Sequence, residues 1–227
     1  MKKVKSSLLA VLGLALLLVI LAGLQYRQRK AQQADYSAMV ASYTAWDGLE
    51  REDDPGHFFQ PVDFPPQGHV RLITAEQVLK LQDGIVFFGY PTCPWCRNTL
   101  PLVLETINEL GHPLYYCQLD LYRDEYEIQN GVLACTTPAG DGYPELLDKL
   151  ANHLEDYVLT DAQGNSLPVG EKRLYAPSVV IFQDGSATGF WELNLTLDEG
   201  QTKYDTWTLP QKENVKKSFQ KILSISF

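Results

Sequence analysis

Apolar residues in the middle of the chain change their spacing at one point, and this change predicts a strand followed by a helix. Residues 85–88 are a compact Ile-Val-Phe-Phe run, which is typical of a buried strand. The run breaks at Gly89 and Pro91. Beyond the break, apolar residues recur at helical spacing as far as Leu110, and Gly111 follows as an end signal. The centre of the chain is therefore predicted to be strand, tight turn and helix.

The same reading predicts the elements on either side. In chain order they are a strand at 70–73, a helix at 74–82, the strand at 85–88, the helix at 93–110, a strand at 114–121, an insert at 122–174 with one helix from Pro144 to about Tyr157, a proline-led strand at 176–183, a strand at 188–195 and a helix at 210–223. This alternation of strands and helices indicates the α/β class.

The first 30 residues have the composition of a membrane anchor. Leu8–Leu24 carries no charge over seventeen residues, which is the lower limit for a helix that crosses a hydrocarbon core. A cleaved secretory signal is the alternative, although Leu21-Ala22-Gly23 is only a tolerable cleavage site. Three basic residues precede the span and three follow it, so the positive-inside rule leaves the orientation nearly tied. We expect an uncleaved anchor at residues 1–30.

Residues 31–68 separate this anchor from the predicted domain at 69–227. A short amphipathic helix at 31–46 would space the domain from the membrane or pack on it, and residues 50–68 have the proline, glycine and acidic content of a linker.

The charges are distributed unevenly along the chain. The chain has 19 Lys and Arg residues and 28 Asp and Glu residues. Six of the basic residues and none of the acidic ones lie in residues 1–30, so residues 31–227 have 13 basic and 28 acidic residues and a net charge of about −15. Because so acidic a surface repels phosphate backbones, nucleic-acid binding is excluded.

The chemistry of the chain is expected at Cys93-Pro94-Trp95-Cys96, where the predicted strand gives way to the helix. Unpaired backbone N–H groups and the helix dipole favour an anion at this position, so the Cys93 thiolate is stabilised and becomes nucleophilic. Cys96 lies one turn further and can attack a mixed disulfide formed on Cys93. We therefore predict a redox-active Cys93–Cys96 pair, with no further cofactor and no metal.

Two other interpretations of this pair are a structural disulfide and half of a zinc site. Zinc would need two more ligands at suitable spacing, and the four histidines show no such pattern.

Of the other two cysteines, Cys117 lies in a predicted core strand and Cys135 lies in the insert. They are interpreted as two buried thiols, with a second disulfide as the alternative. Arg97, which follows Cys96, is interpreted as a solvated helix charge.

Three local signals together make residues 69–227 resemble the thioredoxin fold. They are the C-x-x-C motif after a strand, Pro101 five residues beyond Cys96, and Ala176-Pro177 at the start of the strand after the insert. The resemblance implies a central mixed sheet flanked by helices. It also implies that Pro177 is cis and faces the active-site sulfurs, and that the backbone beside it holds a substrate peptide in extended form.

The chain also departs from the thioredoxin pattern. Thioredoxins carry a buried acid where Phe87 stands, and strongly oxidising relatives place a histidine between the cysteines, where this chain has Trp95. We therefore expect an intermediate reduction potential, with Trp95 shaping an apolar docking rim. A narrower resemblance, to the bacteriocin-transport accessory group of thioredoxin-like proteins, depends on the anchor, the helical insert and the Lys172–Tyr175 run.

The function expected from these residues is thiol–disulfide exchange with protein or peptide substrates, together with a redox partner that resets the pair. Such chemistry belongs to oxidising compartments, which favours a single-pass membrane protein with its catalytic part outside the cytoplasm. Oxidant, reductase and isomerase share these residues, so the direction of electron flow stays open. The alternative function is a tethered binding or chaperone module whose Cys93–Cys96 disulfide is structural.

Overall fold

The computed structural model describes the backbone of residues 2–226 and the side chains of residues 13–224. The helices are α1 (Lys2–Thr44), α2 (Ala75–Leu79), α3 (Pro94–Leu110), α4 (Tyr143–Leu150) and α5 (Leu209–Ser226). The strands are β1 (Val70–Leu72), β2 (Gly84–Gly89), β3 (Leu114–Gln118), β4 (Glu125–Gln129), β5 (Val132–Thr137), β6 (Glu155–Thr160), β7 (Ser166–Arg173), β8 (Ser178–Gln183) and β9 (Ser186–Glu192).

The central sheet has five strands in the order β1-β3-β2-β8-β9. Strands β1, β3 and β2 run parallel, whereas β8 is antiparallel to both β2 and β9. The expected α/β fold with a mixed sheet flanked by helices is therefore confirmed. Because β2 is the middle strand, it is paired with neighbours on both sides as far as Phe88, and with β3 as far as Gly89.

The alternation of side chains along β2 divides the core into two layers. Ile85 and Phe87 point into a cluster with residues of α1, α3 and α5. Val86 and Phe88 point into a second cluster with residues of α2 and α4. All four side chains are at most 1% exposed, and burial of each contributes about 2 kcal/mol. The sheet thus has helices on both faces.

The helices next to β2 carry the predicted end signals, although α2 is shorter than predicted. Thr74 and Gln77 form a reciprocal capping box at the start of α2, which ends at Leu79, before the predicted position. Gly111 closes α3 in the left-handed conformation, with φ of 71°, and its N–H donates to the carbonyls of Ile107 and Asn108.

The C-terminal half of α1 belongs to the core of the domain. The sequence predicts a separate short helix at 31–46, but these residues continue α1 without a break to Thr44. Tyr36, Met39 and Tyr43 are at most 4% exposed and pack in the cluster that contains Phe87. The linker is also attached to α1, because the Tyr36 hydroxyl donates a hydrogen bond to the Pro65 carbonyl. Residues 31–44 therefore pack on the domain.

The insert at 122–174 differs most from the prediction. It contains two antiparallel hairpins, β4-β5 and β6-β7. The sequence predicts a hairpin turn at 161–165, which joins β6 and β7 as expected, but it does not predict the strands themselves. Its helix ends at Leu150, and Tyr157 lies in β6. The predicted strand at 114–121 ends at Gln118 and continues as a 3₁₀ turn over Leu119–Leu121.

Apolar side chains of α1 are exposed before the helix reaches the domain. Several large residues between positions 14 and 24 are 46–69% exposed. The predicted span Leu8–Leu24 begins outside the described side chains. Within the part of the chain that the structure describes, no helix is both long and apolar enough to span a membrane.

Truncating Met39 tests the packing of α1. Met39→Ala should lower the free energy of unfolding of the full chain by about 3 kcal/mol, because Met39 is only 1% exposed and its loss leaves a cavity. Gln33→Ala, on the exposed face of the same helix, should change it by less than about 0.5 kcal/mol. Equal urea midpoints for the two variants would contradict this packing.

Candidate active site

Cys93 lies at the junction between β2 and α3, as the hydrophobic pattern predicts. It is the N-cap residue of α3, with an extended backbone, and Pro94 occupies the first helical position. Its Sγ accepts a hydrogen bond of 3.1 Å from the backbone N–H of Cys96. The two cysteines form a disulfide, with their Cα atoms 5.2 Å apart. A sulfur in this position receives the N–H groups that would stabilise a thiolate.

A cis peptide bond faces this sulfur. The Ala176–Pro177 bond is cis, and the carbonyl oxygen of Ala176 lies 3.7 Å from Cys93 Sγ. The sheet brings the two together, because β8 pairs with β2 and places Ser178 opposite Phe88. Residues 83 positions apart in the chain therefore meet at one end of the central strands.

Both sulfurs are held closely by their surroundings. Cys93 is 2% exposed and Cys96 is fully buried. A β-carbon added at Gly89 would clash with the Phe87 ring and lie 3.0 Å from Cys96 Sγ, so glycine leaves room at the end of β2 for both side chains. The small exposed fraction of Cys93 means that a reactant must approach it along a defined route.

That route is an open cavity of about 460 Å³, with Cys93 in its wall. Four aromatic and four charged side chains make up most of the other walls. The lining residues are Trp46, Arg51, Glu52, Asp53, Phe59, Tyr90, Thr92, Cys93, Pro94, Trp95, Ala176 and Lys203. Residues 46–59 form much of this wall. The sequence predicts only the end of a helix and a linker in this segment.

A second groove, of about 320 Å³, runs along the other side of Ala176. It is lined by Trp95, Tyr175, Ala176, Pro177, Glu192, Leu193 and Leu195. Trp95 and Ala176 line both spaces, so the Trp95 ring stands between them. The ring centroid of Trp95 lies 6.4 Å from that of Trp207, which supports the indole from the side of α5.

Arg97 is not the solvated charge that the sequence suggested. It is 6% exposed, and its guanidinium donates to the carbonyls of Tyr43, Pro91 and Gln60 and to the Asp47 carboxylate. Burial lowers the pKa of Arg97, and the Asp47 charge opposes this shift. Helical spacing alone could not reveal these partners, because three of the four lie 37–54 residues earlier in the chain. Arg97 therefore ties the segment after α1 to the active-site turn.

Two buried tyrosines reinforce the same junction. The Tyr116 hydroxyl lies 3.2 Å from the Tyr43 hydroxyl and 3.2 Å from the Gly89 carbonyl oxygen. Burial raises the pKa of both phenols, so both stay neutral at physiological pH. α1 is thereby joined to the end of β2, where the active-site turn begins.

Cys117 and Cys135 are free thiols. Cys117 is buried in β3, and burial raises its pKa to about 12. Cys135 is exposed on β5, where its sulfur lies 3.3 Å from the Thr137 carbonyl oxygen of the same strand. The interpretation as buried thiols holds for Cys117 and is wrong for Cys135. The alternative, a disulfide between them, is not formed, because Cys117 faces the core and Cys135 faces outward on a separate hairpin.

Comparisons with known proteins add no assignment: the chain matches no family model, no curated protein and no solved structure. The functional interpretation therefore depends on the local geometry of the site. A Cys93–Cys96 disulfide at a helix N-terminus, opposite a cis proline, is compatible with thiol–disulfide chemistry and with a thioredoxin-like fold.

Removing the Arg97 side chain should destabilise the protein strongly. Arg97→Ala leaves the Asp47 carboxylate and three backbone carbonyls without their donor, so the free energy of unfolding should fall by about 3 kcal/mol. Arg71→Ala, on the partly exposed strand β1, should cost less than about 1 kcal/mol. Chemical denaturation of both variants tests this, and similar losses would mean that Arg97 is as solvated as first predicted.

The two free thiols should differ in reactivity. In native protein at pH 8, iodoacetamide should modify Cys135 and leave Cys117 untouched, because Cys117 is buried and its raised pKa keeps it protonated. Unfolding in urea should make both react. Peptide mass mapping measures the labelling, and equal native labelling of both residues would contradict the burial of β3.

Proposed function

We propose that this protein is a thiol–disulfide oxidoreductase with a thioredoxin-like fold, which exchanges disulfides with protein or peptide substrates through Cys93 and Cys96. The observation that carries the proposal is the position of the Cys93 sulfur. It receives the Cys96 N–H at the first turn of α3, lies 3.7 Å from the carbonyl before cis-Pro177, and lines an open cavity. A purely structural disulfide needs neither the cavity nor the cis proline.

The exchange proceeds in two displacements. In reduced enzyme, the Cys93 thiolate attacks a substrate disulfide; a Cys93–substrate disulfide forms, and the departing substrate thiolate takes a proton from solvent. Cys96 then gives its proton to solvent and attacks Cys93 Sγ. The second substrate thiolate leaves and is protonated, and the Cys93–Cys96 disulfide forms. The substrate gains two electrons and the enzyme loses two. The reverse sequence oxidises a substrate dithiol, and a partner thiol or disulfide resets the pair.

The substrate is proposed to be an extended chain segment. Cys93 is 2% exposed, so a flat protein surface cannot bring a disulfide to it. An extended segment that follows the groove beside Pro177 would pass over Ala176 and Trp95, which line both spaces, and would present its cysteine to the cavity. Ala176 and Pro177 would hold its backbone, while Pro94 and Trp95 shape the rim.

Attachment to a membrane through residues 1–30 is part of the proposal, with the catalytic part outside the cytoplasm. It is supported by the exposed apolar side chains of α1 between positions 14 and 24, which the domain leaves uncovered. An oxidising compartment would also suit a cycle that depends on disulfides.

A second candidate function is a tethered binding module with a structural disulfide. The low exposure of both cysteine residues, 2% for Cys93 and none for Cys96, is the observation that favours it. In that case the groove beside Pro177 would bind a peptide without covalent chemistry.

Substituting each cysteine separates the two functions. Cys93→Ser should abolish reduction of a peptide disulfide, because the attacking sulfur is lost. Cys96→Ala should accumulate mixed disulfides with substrate, because nothing resolves them. Mass spectrometry without reductant detects these adducts. Cys135→Ala serves as the control and should keep full turnover. If Cys96→Ala traps no substrate and the unmodified protein turns over no disulfide, the binding module is the correct function.

A further inference from the structure

A buried guanidinium lies against the turn that carries Cys93. Arg51 comes from the segment between α1 and β1 and is 4% exposed. Its Nη2 donates a hydrogen bond of 3.1 Å to the carbonyl of Thr92, the residue immediately before Cys93. Arg51 and Cys93 line the same cavity. A charge from a distant segment is thus fixed beside the active-site turn.

Two aromatic rings fix the position of this charge. The Arg51 guanidinium carbon lies 4.3 Å from the Phe59 ring centroid and 4.7 Å from that of Tyr204. The Arg51 backbone N–H also donates to the His57 carbonyl at 2.8 Å. The Tyr204 hydroxyl donates to the Asp54 carboxylate at 2.6 Å, so this ring is held as well. The guanidinium is preorganised and does not depend on a flexible surface side chain.

The charge of Arg51 is only partly neutralised. Its one carboxylate partner among the described residues is Asp53, at 2.9 Å, and the Asp53 side chain is 63% exposed. Solvent screens that carboxylate more than it screens the buried guanidinium. Arg51 Nε is buried and has no hydrogen-bond partner within the described chain. A buried cation with an unused donor favours a further anion nearby.

The other charged groups around the cavity are more exposed to solvent than Arg51. Glu52 and Lys203 are exposed, and Lys203 Nζ lies 4.9 Å from the Tyr204 ring centroid. Tyr90 also lines the cavity. Arg51 is therefore the buried charge of the wall, while the exposed charges of both signs are screened.

We propose that Arg51 is a positioning residue that stabilises the thiolate of reduced Cys93. The inference rests on the proposed function, because it concerns the nucleophile of that reaction. An opposite charge in a partly dry environment lowers the pKa of a thiol, in addition to the effect of the helix N-terminus. Trp95 leaves the motif without a cation between the cysteines, and Arg51 supplies one from outside the motif.

The test is the pH dependence of Cys93 alkylation in reduced full-length protein. Iodoacetamide labelling is followed by mass spectrometry between pH 4 and 9. Arg51→Gln should raise the pKa of Cys93 by about one unit, so labelling below the native pKa should fall about tenfold. Arg51→Lys should restore most of the native rate. Arg71→Gln, which removes a charge on β1 outside the cavity lining, should have no effect.

Each outcome decides one question. A folded Arg51→Gln protein with the native Cys93 pKa overturns the role of Arg51. If that variant does not fold, Asp53→Asn decides: removing the competing carboxylate should lower the Cys93 pKa, and an unchanged or higher value overturns the role. An ordinary thiol pKa near 8.5 in the unmodified protein would instead contradict the proposed function, because the thiolate would not be stabilised at all.

Discussion

The Cys93 sulfur accepts the backbone N–H of Cys96, and this hydrogen bond requires the chain to turn from strand to helix within four residues. The turn can be this tight because β2 is the middle strand of the sheet and is paired on both sides up to Phe88. Because β2 is restrained in this way, it places the Cys93 sulfur in one position. Strand β8 places Ala176 and cis-Pro177 at the same end of the sheet. The chemistry that we propose depends on this coincidence of a helix start and a strand start.

Two buried arginines extend the site beyond the sheet. Arg97 joins the active-site helix to Tyr43, Asp47 and Gln60, and Arg51 joins the following segment to Thr92. Buried guanidinium groups are costly unless every donor finds an acceptor, so they are poor contributors to stability by themselves. Their effect is to fix residues 43–60 over the sulfur, where they form much of a wall that narrows the approach to it.

Local signals predicted the elements that carry the chemistry, because those elements are encoded within short windows of sequence. The strand before Cys93, the helix after it, its glycine end and the proline-led strand all follow from spacing and from turn residues. The buried positions of Arg97 and Arg51 do not follow from these local signals, since most of their hydrogen-bond partners lie far away in the chain. The wall residues Trp46, Phe59 and Lys203 had no signal of their own either.

The strands of the insert were missed for a different reason. In β4 and β5 every residue is partly or fully exposed; β4 alternates polar and apolar residues over only five positions, and β5 does not alternate at all. The turn is the clearer signal: Asn130-Gly131 joins the strands, with positive φ at both residues, as a two-residue hairpin turn requires. If this dipeptide is taken as a turn between two short β-forming runs, it predicts the first hairpin.

The reduction potential of the Cys93–Cys96 pair tests the central claim most directly. Full-length protein is equilibrated with glutathione buffers of defined ratio, and the oxidised fraction is counted by thiol labelling. A catalytic pair should titrate reversibly as a two-electron couple between about −270 and −120 mV, the range of known dithiol oxidoreductases. A pair that stays oxidised below about −300 mV would be a structural disulfide, and the account of Cys93 as a nucleophile would be wrong.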